Sequence, residues 1–140
     1  MGSSAERWAC DTSLAIAALD ATHVAHGPCR RALLDHRPAL AGHAAFEVYS
    51  VLTRLPIPLR LTATQAGQVI EAAFPDSCWL DRAAADGLRV RLVEAGIVGG
   101  SVYDALVGQA ALSDNRVLLT RDRRAERTYR ALGVRYELVA

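Results

Sequence analysis

Four acidic residues, Asp11, Glu47, Asp104 and Asp122, occupy positions from which carboxylates can be gathered into one site. Asp11 directly follows a short strand-like segment, Arg7-Trp8-Ala9-Cys10, and Asp122 comes two residues after the run Val117–Thr120. Glu47 lies in the opening turns of a predicted helix, within the apolar stretch Ala44-Ala45-Phe46-Glu47-Val48-Tyr49. Asp104 follows the Gly99-Gly100 pair, in the first turn of a helix whose residues are apolar on every side, the pattern of a buried helix. Carboxylates brought together in a partly buried place repel one another, and some take up protons unless a cation neutralises them. An all-oxygen donor set suits Mg²⁺ or Mn²⁺ that keeps several of its waters. Such a cation polarises a phosphate oxygen and acidifies water, which is the chemistry of phosphodiester hydrolysis.

Each acid also has a plain architectural role open to it. Asp11 and Asp122 could be helix N-caps, Ser101-x-x-Asp104 resembles a capping box, and Glu47 suits the positive end of a helix. Other chemistries find less support. The serines have no placed His and Asp. His23-x-x-His26 has helical ligand spacing but sits in a polar, turn-rich segment. All 16 basic residues are Arg, so Gly99-Gly100-Ser101 cannot belong to a P-loop, which requires Lys.

The elements that must position these acids alternate. The expected strands are Arg7–Cys10, Pro38–Gly42, Val117–Thr120 and Val134–Val139. Helices are expected over Leu14–Leu19, Val24–His36, Ala44–Arg54, Ala63–Phe74 (capped by Thr62 or Thr64), Arg82–Ala95, Val102–Leu112 and Asp122–Leu132. Strands alternating with helices imply a parallel sheet covered on both faces. Right-handed crossovers then open the loops after the strands on one edge, where ligands bind.

The chain has 140 residues, the size of one domain, read here as a single unit over 1–140. No apolar run is long enough to cross a bilayer. Met1-Gly2-Ser3-Ser4-Ala5-Glu6 lacks the basic region and apolar stretch of a signal peptide, so a cytoplasmic location is expected. Cys10, Cys29 and Cys78 are odd in number and widely spaced, a poor basis for zinc or a disulfide framework. Cys10 is expected to be a buried, inert thiol.

Four segments together resemble the PIN domain: Ala9-Cys10-Asp11-Thr12-Ser13, Phe46-Glu47-Val48-Tyr49-Ser50-Val51-Leu52-Thr53-Arg54-Leu55-Pro56, Gly99-Gly100-Ser101-Val102-Tyr103-Asp104-Ala105-Leu106, and Leu119-Thr120-Arg121-Asp122-Arg123-Arg124. More narrowly, they resemble the VapC toxins, especially the mycobacterial ones. The resemblance implies a Rossmann-like three-layer α/β sandwich and an endoribonuclease dependent on Mg²⁺ or Mn²⁺. It also implies a toxin of a type II toxin–antitoxin system, a homodimer, and a small VapB-type antitoxin whose C-terminal tail lies across the active site. Asp11 and Asp104 match the family's principal metal ligands, and Glu47 and Asp122 its other two acids. Thr12, Ser13, Ser101 and Thr120 would be hydroxyls that support them, with capping the better role for Ser13. Many relatives carry a further acid after the fourth, where this chain has Arg123-Arg124; one tightly held metal is therefore expected, a second arriving with substrate.

Arg121, Arg123 and Arg124 crowd the start of the expected last helix, where cations oppose the macrodipole. Contact with RNA phosphates would explain that placement for Arg121 and Arg123, because Arg offers phosphate a bidentate fork. For Arg124 a solvated helix face explains it equally well, with Glu126 and Arg130 as an i,i+4 pair. Two rival functions use the same residues: a catalytically silent PIN module that only binds RNA or protein, and a PIN-like nuclease acting on DNA.

Overall fold

A computed structural model describes residues 5–140. The order of elements is β1 (Trp8–Cys10), α1 (Thr12–Leu19), α2 (His26–His36), β2 (Ala39–Ala41), α3 (Ala44–Leu52), α4 (Ala63–Ala73), β3 (Ser77–Cys78), α5 (Arg82–Ala95), α6 (Ser101–Ser113), β4 (Val117–Thr120), α7 (Glu126–Leu132) and β5 (Tyr136–Leu138). Every strand pairing is parallel, in the order β3-β2-β1-β4-β5. Residues 39–41 and 117–120 are buried throughout, as parallel strands covered on both faces must be.

The strand order decides which face each helix covers. The chain moves outward from β1 to β2 and β3, then returns past β1 to β4 and continues to β5. Crossovers of one hand must place the helices of the outward and return paths on opposite faces. Accordingly α1 packs on α2 and α3, and α3 on α4, while α5, α6 and α7 pack together. The reversal between β1 and β4 makes a switch point at their C-terminal ends, where a parallel sheet leaves a crevice. Asp11 stands there, its N–H bonded to the Leu119 carbonyl of β4 at 3.2 Å.

Local signals set several helix ends. Thr62 caps α4 in a reciprocal box with Gln65, and Asp81 caps α5. Gly96 and Gly133 end α5 and α7 in the left-handed conformation. Gly42, at φ +51°, turns the chain from β2 into α3; a Cβ there would stand 3.1 Å from the Ala110 Cβ, so α3 and α6 can approach across it. Among the described residues, no helix is long and apolar enough to cross a membrane.

The structure departs from expectation in three places. Strand β3 was not foreseen: it has two residues and exists by pairing with Leu40 and Ala41. The helix expected from Val24 begins at His26, because His23 and His26 fasten the preceding turn. The His23 Nδ1 accepts from the Ala25 N–H at 3.1 Å, and the His26 ring bonds the Ala17 carbonyl at 2.9 Å. The helix expected from Asp122 begins at Glu126; residues 122–125 form a turn in which the Ala125 N–H donates to the Asp122 carbonyl. Arg121 and Arg123 therefore do not oppose a helix dipole, and that reason for assigning them to phosphate falls away.

Candidate active site

The four acids come from four separate places and line one cleft of about 240 Å³, together with Thr12, Ser13 and Val107. Asp11 leaves β1 at the switch point, and Asp122 lies two residues past β4. Glu47 is in the first turn of α3 and Asp104 in the first turn of α6. Helices α3 and α6 cover opposite faces, yet both begin at the C-terminal edge of the sheet. That shared edge brings their acids together.

Asp11 is the most constrained of the four. It is 5% exposed and caps α1, accepting from the Leu14 N–H at 3.1 Å. The same Oδ1 accepts from Ser13 Oγ at 2.6 Å. Oδ2 accepts from the Thr120 hydroxyl and, at 2.8 Å, from the Tyr129 hydroxyl. Burial pushes its carboxyl up from the ordinary value, and the bonds from Ser13, Thr120, Leu14 and Tyr129 pull it back.

Asp104 is held differently. The capping box that Ser101 and Asp104 could have made does not form: the N-cap of α6 is Gly100, and no side chain caps the helix. Its carboxyl is pushed up to about 6, first by desolvation, then by the charges of Asp122, Asp11 and Glu47, with Arg124 acting in the opposite sense. Glu47 faces His43 at 3.8 Å and is part of a helix that buries Ala44, Val48 and Leu52 while leaving Phe46 and Tyr49 exposed. Its apolar neighbours in sequence are thus partly a surface. Asp122 accepts from the Arg124 N–H at 2.9 Å, closing its own turn.

Of the expected supporting hydroxyls, Thr120 and Ser13 bond Asp11 directly, and Ser13 also accepts from the Arg121 N–H at 2.9 Å. Ser13 is therefore not the cap expected of it: Asp11 caps α1, and Ser13, inside that helix, supports Asp11 instead. The Thr12 hydroxyl is buried at the cleft with no hydrogen-bond partner. Ser101 is not brought to the acids; it lines a separate depression with Arg127 and Thr128. Arg121 and Arg123 flank Asp122 in a neighbouring cleft, and neither forms a salt bridge among the described residues. Tyr129 escaped notice in the sequence. The stripe Ala125, Thr128, Tyr129, Leu132 has the spacing of a buried helix face and could have placed it inside.

The donor set fits a hard cation. It is all carboxylate and hydroxyl oxygen, it contains an orphaned buried hydroxyl at Thr12, and the charges of Asp122, Asp11 and Glu47 help raise the proton affinity of Asp104. Among the described residues, no three His, Cys, Asp or Glu side chains close tightly enough to hold an ion by themselves. An ion here must keep waters, as Mg²⁺ does.

The family model for the PIN domain matches residues 9–131. The chain belongs to the PIN domain family. Ribonuclease VapC27 of Mycobacterium tuberculosis is 42% identical over 132 residues, covering 94% of this chain and 96% of the relative. Ribonuclease VapC40 of the same species is 41% identical over 130 residues, covering 92% of this chain and 96% of the relative.

Proposed function

We propose that this protein is a VapC-type toxin of a type II toxin–antitoxin system, an endoribonuclease that hydrolyses phosphodiester bonds in RNA with Mg²⁺ or Mn²⁺ held at Asp11, Asp104, Glu47 and Asp122. The observation that carries the reading is the convergence of four carboxylates from four elements on one cleft, where they repel one another. Identity of about two fifths along almost the whole chain to proteins named ribonucleases supports the substrate class.

A bound Mg²⁺ supplies positive charge against the charge developing on the phosphate and acidifies water. The residues of the chain do the rest. Asp11, fixed by four donors, supplies an oriented negative charge at the floor of the cleft. Asp104, half-buried and without such donors, adds charge that costs most when no cation faces it. Glu47 and Asp122 are more exposed than Asp11 and can hold waters in line with a phosphate. Arg121 and Arg123, beside Asp122, are placed to contact flanking phosphates.

The same reading covers regulation and assembly. A VapB-type antitoxin tail with an Arg or Lys would be drawn into the cleft by the repulsion that draws the metal, so tail and cation compete. The active form is a cytoplasmic homodimer. Incubating the purified protein with total RNA and with single-stranded DNA, with and without Mg²⁺, tests the assignment. Cleavage of RNA alone, only with Mg²⁺, is expected. Cleavage of DNA, or binding of RNA without cleavage, would replace it with one of the two rival functions.

A further inference from the structure

The carboxylate of Asp11 has no acceptor site to spare. Two carboxylate oxygens offer about four lone-pair positions, and four donors take them: Ser13 and the Leu14 N–H on Oδ1, Thr120 and Tyr129 on Oδ2. Any cation that binds this oxygen pair must displace a donor or share with one. The two oxygens differ in what surrounds them. Ser13 lines the cleft, whereas Thr120 and Tyr129 are fully buried and do not.

Tyr129 is the donor with no local reason to be there. It arrives from α7, 118 positions along the chain, and among the described residues its hydroxyl makes no other hydrogen bond. A Phe ring would fill the same space without bringing a hydroxyl to a buried acid. Helix α6 makes room for the ring through Gly108, where a Cβ would stand 3.0 Å from Tyr129 Cδ1 and 3.3 Å from Cε1. Backbone packing on one side and a carboxylate on the other thus define where the phenol sits.

We propose that Tyr129 is the positioning residue of Asp11, anchoring Oδ2 from the core so that Oδ1 faces the cleft and a cation there displaces only the Ser13 hydroxyl. When Ser13 yields, its hydroxyl can turn toward Thr120 Oγ1, 3.4 Å away, while its oxygen keeps the Arg121 N–H at 2.9 Å. The inference rests on Asp11 being a metal ligand, as proposed above. Groups that orient a ligating carboxylate typically change metal affinity 10–100-fold when removed.

The test is calorimetric titration of Mn²⁺ into the full-length wild-type protein and Tyr129→Phe, with melting curves of both. The variant is expected to fold, to bind Mn²⁺ at least about tenfold more weakly, and to need correspondingly more Mn²⁺ for half-maximal RNA cleavage. Gly108→Ala, which crowds the ring without touching its hydroxyl, should shift affinity the same way and serves if Tyr129→Phe melts too low to titrate. A folded Tyr129→Phe with a lowered melting temperature but wild-type Mn²⁺ affinity would make the phenol a packing group and end the proposal alone. Wild-type protein that binds no Mn²⁺ at millimolar concentration would bring down the metal reading, and this inference with it.

Discussion

Asp11 and Asp104 line the same cleft, and the fold treats them in opposite ways. Asp11 is buried at the switch point and carries four donors from α1, β4 and α7. Asp104 is half-buried at the head of α6, with no side chain capping that helix, and its carboxyl is raised first by burial and then by the charges of Asp122, Asp11 and Glu47. One acid is made ready by the protein itself. The other is left unbalanced, and its balance has to come from outside. The difference shows how a small domain can hold both an organised ligand and a standing demand for a cation.

The largest expected effect breaks the pair apart. Asp11→Asn and Asp104→Asn should each lower RNA cleavage by a factor of about 100 or more, since each removes charge that faces the phosphate. Their stabilities should diverge. The Asp11 amide turns a donor toward groups that already donate, leaving buried partners unsatisfied at a cost of about 1–3 kcal/mol. Asp104→Asn relieves repulsion and should raise the melting temperature of the metal-free protein. Equal melting temperatures for the two variants would erase the distinction between them.

A smaller effect is expected with pH. In chelator, Asp104 holds its proton more tightly folded than unfolded, its carboxyl rising from 3.8 to about 6. The folded state therefore binds more protons through that window, and stability should fall as pH rises from 3.8 to about 6. Asp11, also raised by burial, acts in the same direction. Because Asp104 is half exposed, solvent screening should limit its share to about 1 kcal/mol. Melting curves of wild type and Asp104→Asn across that range check the sign; a wild type that gains stability on deprotonation would contradict it.

The smallest effect sharpens the two sides of Asp11. Ser13→Ala removes the cleft-side donor and should cost about 1 kcal/mol of stability. Its Mn²⁺ affinity should stay at the wild-type level or tighten, in contrast to Tyr129→Phe. Weaker binding by Ser13→Ala in a calorimetric titration would mean that the cation uses Ser13 as support rather than displacing it.

Much of this arrangement was legible in the chain. The strand at Val117–Thr120 and the helix Arg82–Ala95 lie where apolar runs and caps put them, and Thr62 caps its helix by the local chemistry its spacing offers. The convergence of the four acids was legible because each follows a strand or opens a helix; the apolar run around Glu47 was a poorer guide, since Phe46 and Tyr49 are exposed. Asp122 was placed on the wrong element: its side chain closes a turn with the Arg124 N–H, and three residues pass before α7 begins. Ser101, two residues into the same glycine-led segment as Asp104, faces a different depression; sequence proximity says little about direction on a helix that turns 100° per residue.

Local chemistry in the sequence was sufficient to determine the alternation of strands and helices and the residue types available for a cation, because caps, turns and apolar periods act over a few residues. Only the tertiary structure decided the strand order, the two-residue β3, and which face of the sheet the helix carrying each acid covers. It alone also brought the Tyr129 hydroxyl to Asp11. These contacts join residues far apart in the chain, and the parallel sheet's crossovers, rather than any local signal, determine which of them meet.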